Sequence, residues 1–200
     1  MFTPSAILEF WFGNQKNMLE INSEKSSLWW GKDSDIDQNM SYLFRPLIDF
    51  IHTGSQYDFW RNQPDGCLAS ILTLDQFPRN IFRGTPQSYF YDAMARELAE
   101  QFISKGFDQA MTPLQCVFAY LPFEHSEDLK DQERSVVLFK KLLDMVGPAE
   151  REMFRGFLEY AIKHREIIEK FGRFPHRNQI LGRTSSAEEL DFLKLPGSFF

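Results

Sequence analysis

The chain has 200 residues, enough for one domain with a sizeable core. Apolar residues make up 43% and charged residues 25%, which excludes wholesale disorder. The 28 acidic against 22 basic residues leave a net charge of −6, which argues against a general nucleic-acid binder with its basic face. No apolar run approaches the ~20 residues that cross a bilayer.

The first helix is expected over Pro4 to Phe12, with Thr3 as its cap, Pro4 at its first position and Gly13 as its stop. Residues 14–32 are polar and then aromatic at Trp29-Trp30, and read as a loop or a frayed helix. Asp33 opens a helix with Ile36, Met40, Leu43, Phe44, Leu47, Ile48 and Ile51 on one face. Pro46 is expected to bend or split it, and Gly54 to end it. Residues 55–65 hold Tyr57, Phe59 and Trp60, followed by a turn at Pro64-Asp65-Gly66. A short apolar helix from Cys67 to Phe77 should stop at Pro78.

Thr85-Pro86 then opens a long helix that Gly106 closes, with Phe90, Met94, Leu98 and Phe102 as its core stripe. Thr112-Pro113 repeats that opening for a helix through Tyr120, and Pro122 interrupts the pattern. Val136, Phe139, Leu142, Leu143 and Val146 mark the next helix, closed by Gly147-Pro148. The last long helix runs from Pro148 to Phe171, with Phe157, Ala161, His164, Ile168 and Phe171 on one face and Gly172 as its terminator. Ser185 and Glu188 are spaced as a capping box for a final short helix through Leu193. No sustained alternation signals a strand. The expectation is therefore a single all-α domain over residues 1–200, with about eight helices in stacked hairpins or an irregular bundle.

Cys67 and Cys116 stand alone without metal-ligand or redox spacing, as in a reducing compartment. The start, Phe2-Thr3-Pro4-Ser5, lacks a basic segment, and Glu9 interrupts the apolar residues after it, unlike a signal peptide. A cytoplasmic protein is expected. The 21 Phe and 4 Trp read as an aromatic core.

Two stretches resemble each other: Phe77-Pro78-Arg79-Asn80-Ile81-Phe82-Arg83-Gly84 and Phe174-Pro175-His176-Arg177-Asn178, the latter preceded by Arg173 and followed by Leu181-Gly182-Arg183. Arginine holds carboxylate or phosphate by two parallel hydrogen bonds. If Arg79, Arg83, Arg173, Arg177 and Arg183 converge, they form a basin for a small anionic molecule or an acidic peptide end, with Asn80 and Asn178 orienting it. Asp75, Glu124, Glu127 and Asp128 lie in neighbouring clusters, and the same arginines would otherwise pair with these acids and staple loops to the helices.

Three of the four histidines, His125, His164 and His176, fall in or beside these clusters. They suit acid–base chemistry. In a phosphate- or acyl-ester hydrolase, Glu124 or His125 would be the base and His176 the acid. His164 lies on an apolar helix face, where a hydrogen-bonded core residue is the plainer reading. No His pair has metal-ligand spacing, and no Walker loop, dinucleotide fingerprint or nucleophile elbow occurs, so neither metal nor cofactor is expected. A third reading makes the motifs packed loops full of internal ion pairs, with a protein partner on an aromatic surface.

Four stretches together resemble a known family: Ile7-Leu8-Glu9-Phe10-Trp11-Phe12-Gly13, Leu74-Asp75-Gln76-Phe77-Pro78-Arg79-Asn80, Leu121-Pro122-Phe123-Glu124-His125-Ser126-Glu127-Asp128, and Phe171-Gly172-Arg173-Phe174-Pro175-His176-Arg177-Asn178 with Leu181-Gly182-Arg183. The chain is similar to the bacterial domain of unknown function 924 over nearly its whole length. The resemblance implies a tetratricopeptide-like arrangement of helix pairs and assigns no activity.

Overall fold

The computed structural model describes residues 2–15, 17–54 and 58–198. Among these residues the regular structure is nine α-helices and short 3₁₀ turns, with no strand. They are α1 (Pro4–Phe12), α2 (Met18–Trp30), α3 (Ser34–Thr53), α4 (Pro64–Ile81), α5 (Asp92–Ser104), α6 (Pro113–Glu124), α7 (Leu129–Met145), α8 (Arg151–Phe171) and α9 (Ala187–Phe192). The fold is all-α.

Local capping explains most boundaries. Thr3 accepts from Ala6 N–H and Pro4 occupies the first turn of α1. Gly172 stops α8 at φ +67°, the left-handed conformation that releases the chain into the 173–183 loop. At α6 the Thr112 hydroxyl accepts from Gln115 N–H while the Gln115 side chain accepts from Thr112 N–H. Thr112→Ala should destabilise the protein by about 1 kcal/mol in urea denaturation. An unchanged midpoint would show that packing alone sets this helix start.

Residues 14–32, expected to be a loop or a frayed helix, hold the regular helix α2. Asn17 caps α2 through Leu19 N–H, and Trp29, buried, donates Nε1–H to Trp11 O at 3.0 Å. A polar stretch with weak helical periodicity is thus held by its aromatic end. Tyr57 lies outside the described residues.

The prolines depart in the same sense. α3 runs unbroken through Pro46; a proline there offers no N–H to the carbonyl of Tyr42, a solvent-exposed residue beside which water can take that role. α4 continues past Pro78 to Ile81, and α6 past Pro122 to Glu124. Both prolines fall in a last turn, where a single lost hydrogen bond is outweighed by burial of Phe77 and Asn80 or of Phe123 and Glu124. Pro64-Asp65-Gly66 is not a turn but the first turn of α4. A Cβ on Gly66 would sit 2.4 Å from the Trp60 carbonyl oxygen, so close backbone packing demands the glycine.

Thr85-Pro86 opens only a 3₁₀ turn, Pro86–Tyr89; α5 starts at Asp92, which leaves Phe90 exposed, off the expected stripe. The capping box of α9 uses Ser186 and Glu189, one residue beyond the expected pair. Both registers satisfy the sequence pattern. The observed one frees Ser185 to accept from Asn178 and places Glu189 against Arg173.

Helix α4 is the central element. It packs against α1, α3, α5 and α6, while α7 packs on both α6 and α8. Fourteen of its residues are buried, including the polar Ser70, Thr73, Asp75, Gln76 and Asn80. A helix buried on nearly all sides has no solvated face for polar groups, so those side chains must find partners inside. Ser70 and Thr73 bond back to the carbonyls of Gly66 and Ala69. Asp75, Gln76 and Asn80 reach across to other elements or to each other, and the candidate site begins there. No helix among the described residues is long and apolar enough to cross a membrane.

Candidate functional site

Asp75, fully buried on α4, is the anchor. Its Oδ1 accepts from His125 Nδ1 at 2.8 Å and lies 3.4 Å from Arg79 Nη1; its Oδ2 accepts from Gln76. Burial alone would push this carboxyl up, but Arg79, His125 and Gln76 bring it down to about 2. His125 sits at the end of α6, just past the Pro122 turn. Burial and then Arg79 depress its pKa below the ordinary value despite the Asp75 carboxylate, so it is neutral at pH 7. With Nδ1–H committed to Asp75, the lone pair of this tautomer lies on Nε2, which has no hydrogen-bond partner among the described residues.

Arg79 reaches forward to Asp92 at the start of α5, Nη1 to Oδ1 at 3.0 Å and Nη2 to Oδ2 at 3.2 Å. Burial opposes its charge, yet Asp75 and Asp92 hold it above its usual value. Arg177, from the loop after α8, meets the same Asp92 through Nη1 at 3.4 Å. Its guanidinium is sandwiched between the rings of Phe174 (4.5 Å) and Tyr89 (4.6 Å). Burial pulls its pKa down, and Asp92 compensates only in part. Its buried Nε has no hydrogen-bond partner among the described residues.

Two further histidines complete the cluster. His164 on α8 donates Nδ1–H to Tyr160 O at 2.9 Å and lies 3.1 Å from Glu124 Oε1. Its burial holds its pKa down to about 3, and burial with the nearby Asp75 charge lifts Glu124 to about 8. Their contact joins two neutral groups at pH 7, not an ion pair. His176 is partly exposed, and burial with the adjacent Arg177 lowers it to about 3. Glu124 is buried and mostly protonated at neutral pH.

The structure therefore brings together Asp75, Arg79, Glu124, His125, His164, His176 and Arg177. The corresponding arginines of the two echoing motifs, Arg79 and Arg177, converge on one carboxylate. Arg79 does so from inside α4, not from a loop. Their neighbours diverge. Asn80 donates to Asp37 Oδ1 at 3.0 Å, and Arg83 binds the same carboxylate at 2.6 and 2.9 Å, joining α4 to α3. Asn178 donates to Ser185 at 2.9 Å. Arg173 grips Glu189 at 2.7 and 2.8 Å, which draws that carboxyl down to about 2. Glu127 accepts from Arg183 at 2.6 and 3.0 Å and from Phe174 N–H at 2.8 Å, so this pair clamps the ring that stacks on Arg177. Burial favours a higher Glu127 pKa, but these bonds leave it lowered.

Asp37, Asp92, Tyr89 and Glu189 have no place in the sequence reading. Asp92 lies in the first turn of α5, but the helix start expected at Thr85-Pro86 put it beyond the first turn and hid that signal. Among the described residues no group of three or more His, Cys, Asp or Glu side chains is placed to hold a metal ion. Two clefts, of about 280 and 50 Å³, lie elsewhere, against Phe171 and Phe192 and against Asp108 and Tyr120.

The model of a family described as a bacterial protein of unknown function (DUF924) matches residues 7–197, spanning all four motif stretches and every residue of the cluster. The chain belongs to the DUF924 family. A solved structure of a protein of unknown function from Agrobacterium tumefaciens is similar to it, with 36% identity, 96% of each chain covered and a TM-score of 0.80. No curated protein matches. The DUF924 motifs thus coincide with two kinds of contact, carboxylate–arginine staples between elements and one buried polar centre on α4.

Proposed function

We propose that the protein binds a small anionic molecule, a carboxylate or a phosphate, at the centre formed by Arg79, His125, His176 and Arg177. One observation carries this reading. Arg177 is buried with five N–H donors, and its hydrogen bonding among the described residues is a single long contact to Asp92. Stacking on two rings holds the guanidinium plane but leaves its edge unsatisfied, and an unmatched buried donor is costly. An anion at that edge supplies the missing acceptors. The stapling arginines differ: Arg173, Arg183 and Arg83 each bind a carboxylate through two contacts.

A single domain over residues 1–200, tetratricopeptide-like stacking of helix pairs and a cytoplasmic location complete this reading. Calorimetry with inorganic phosphate and with 4-hydroxybenzoate checks it, comparing the wild type with Arg177→Met, which keeps the volume between the rings and removes the donors. The expected result is salt-sensitive binding to the wild type and at least a tenfold loss in the variant, the scale of one charge-assisted hydrogen bond. Absence of binding, or equal binding by both proteins, would sink the reading.

A further inference from the structure

We infer that His125, oriented by Asp75, is a general base that hydrolyses a carboxylic ester whose own negative charge is held by Arg177. This rests on the anion site proposed above and adds a reaction to it. The geometry is that of an acid–base pair. A fully buried carboxylate accepts a hydrogen bond from the Nδ1–H of an imidazole at 2.8 Å, which fixes the ring and its tautomer and leaves the Nε2 lone pair available. Purely structural histidines of this protein look different: His164 is tied to a backbone carbonyl of its own helix. The carboxylate beneath His125 is itself fixed by Gln76 and Arg79, so the base cannot rotate away without breaking a buried network.

The chemistry balances with water alone. Nε2 takes a proton from a water molecule as the water oxygen bonds to the ester carbonyl carbon. Charge developing on the carbonyl oxygen is met by Arg79, whose Nη1 lies on the same carboxylate as His125. The carbonyl then re-forms, the bond to the leaving oxygen breaks, and Nε2 returns its proton to that oxygen. The products are an acid and an alcohol. Glu124 stays protonated and buried beside the site and takes no part. Asp75 is a positioning residue, since it acts only through His125.

The charges that act on His125 are Asp75 and Arg79 from α4 and Asp92 from α5; its neighbours His164 and His176, from α8 and the loop after it, are themselves lowered to about 3 and neutral at pH 7. Burial and Arg79 outweigh Asp75 and Asp92, so kcat/KM should rise with pH through a value below 6.5 and be level at neutrality.

The test uses 4-acetoxybenzoate as the charged ester, phenyl acetate as its uncharged counterpart, and 4-hydroxybenzoate binding as a separate readout. The wild type is expected to cleave 4-acetoxybenzoate in preference to phenyl acetate. His125→Gly should lose about 100-fold or more in rate and recover with added imidazole. Asp75→Asn, whose amide favours the wrong tautomer, should lose a similar factor and shift the acid limb of the pH profile. His125→Gly, at the C-cap of α6 and partly exposed, keeps the test decisive if the buried Asp75→Asn change unfolds the protein.

Wild-type protein that binds 4-hydroxybenzoate but cleaves neither ester overturns the base and leaves the anion site standing. Equal rates for wild type and His125→Gly overturn the base as well. Cleavage of both esters that depends on His125, without any binding of 4-hydroxybenzoate, supports the base and overturns the anion site. Neither binding nor cleavage removes both.

Discussion

Phe118→Ala is expected to destabilise the protein by about 3–5 kcal/mol, the range for deleting a buried aromatic ring. Phe118 lies on α6 with no exposed surface. Its ring meets Trp11 at 5.6 Å and Phe12 at 5.4 Å on α1, and Trp29 at 4.7 Å and Trp30 at 5.6 Å on α2. It is thus the shared floor for the first two helices. Removing it leaves a cavity among rigid rings that cannot collapse into it, which places the cost at the upper part of the range. The loss should be uneven. Helix α2 buries only Ile21 and Trp29, with Met18 and Leu28 partly buried, whereas α4 and α6 are buried along most of their length, so its amides should exchange faster than those of α4 and α6. Urea denaturation with native-state hydrogen exchange measures both. A loss below ~1 kcal/mol, or uniform exchange along the chain, would show that Trp11 and Trp29 pack adequately without the ring.

That dependence marks where local sequence signals end. The start of α1 and the stop of α8 were legible because Thr3-Pro4 and Gly172 act within one turn of themselves. Helix α2 was not, because what holds it is a ring almost ninety positions further on. The prolines repeat the lesson: Pro78 and Pro122 stop helices in isolation, and here Asn80 after the first and Phe123 and Glu124 after the second are buried in helical form. In the site, the residue types were legible and the partners were not. Arg83 pairs over 46 positions with Asp37 and Arg177 over 85 with Asp92, separations at which a sequence offers every acid equally. Expecting five arginines to share one basin overlooked how many helix junctions needed a staple. Two of them, Arg79 and Arg177, meet at the centre; the others fasten α3, α9 and the loop after α8.

The polar centre also makes stability depend on pH in a way that isolates Glu124. Its carboxyl is raised to about 8 in the folded protein from the ordinary 4.5 of an unfolded chain, so the folded state holds the proton more tightly. Stability from this group is fully present below 4.5 and is lost as pH rises through 8. His164 runs the other way, lowered to about 3 from 6.5, so its contribution is present above 6.5 and lost as pH falls through 3. Between 4.5 and 6.5 the two slopes are equal and opposite and cancel. From 6.5 to 8 only Glu124 still changes, and 1.5 pH units at 1.36 kcal/mol each is a loss of about 2 kcal/mol. On the acid side His164 is joined by His176 and, below 3.8, by Asp75, so that limb has several owners. The alkaline limb is the diagnostic one. Glu124→Gln keeps a neutral hydrogen-bonding side chain beside His164 and cannot ionise. The wild type should therefore lose about 2 kcal/mol between pH 6.5 and pH 8 in urea denaturation, and the variant should lose almost none. Equal pH dependence in the two proteins would mean that Glu124 is ionised at neutrality and paired with His164 as a charge. The proton on Glu124 is what lets a third acid sit beside Asp75 without repelling it, and hence what lets Asp75 keep its charge for His125.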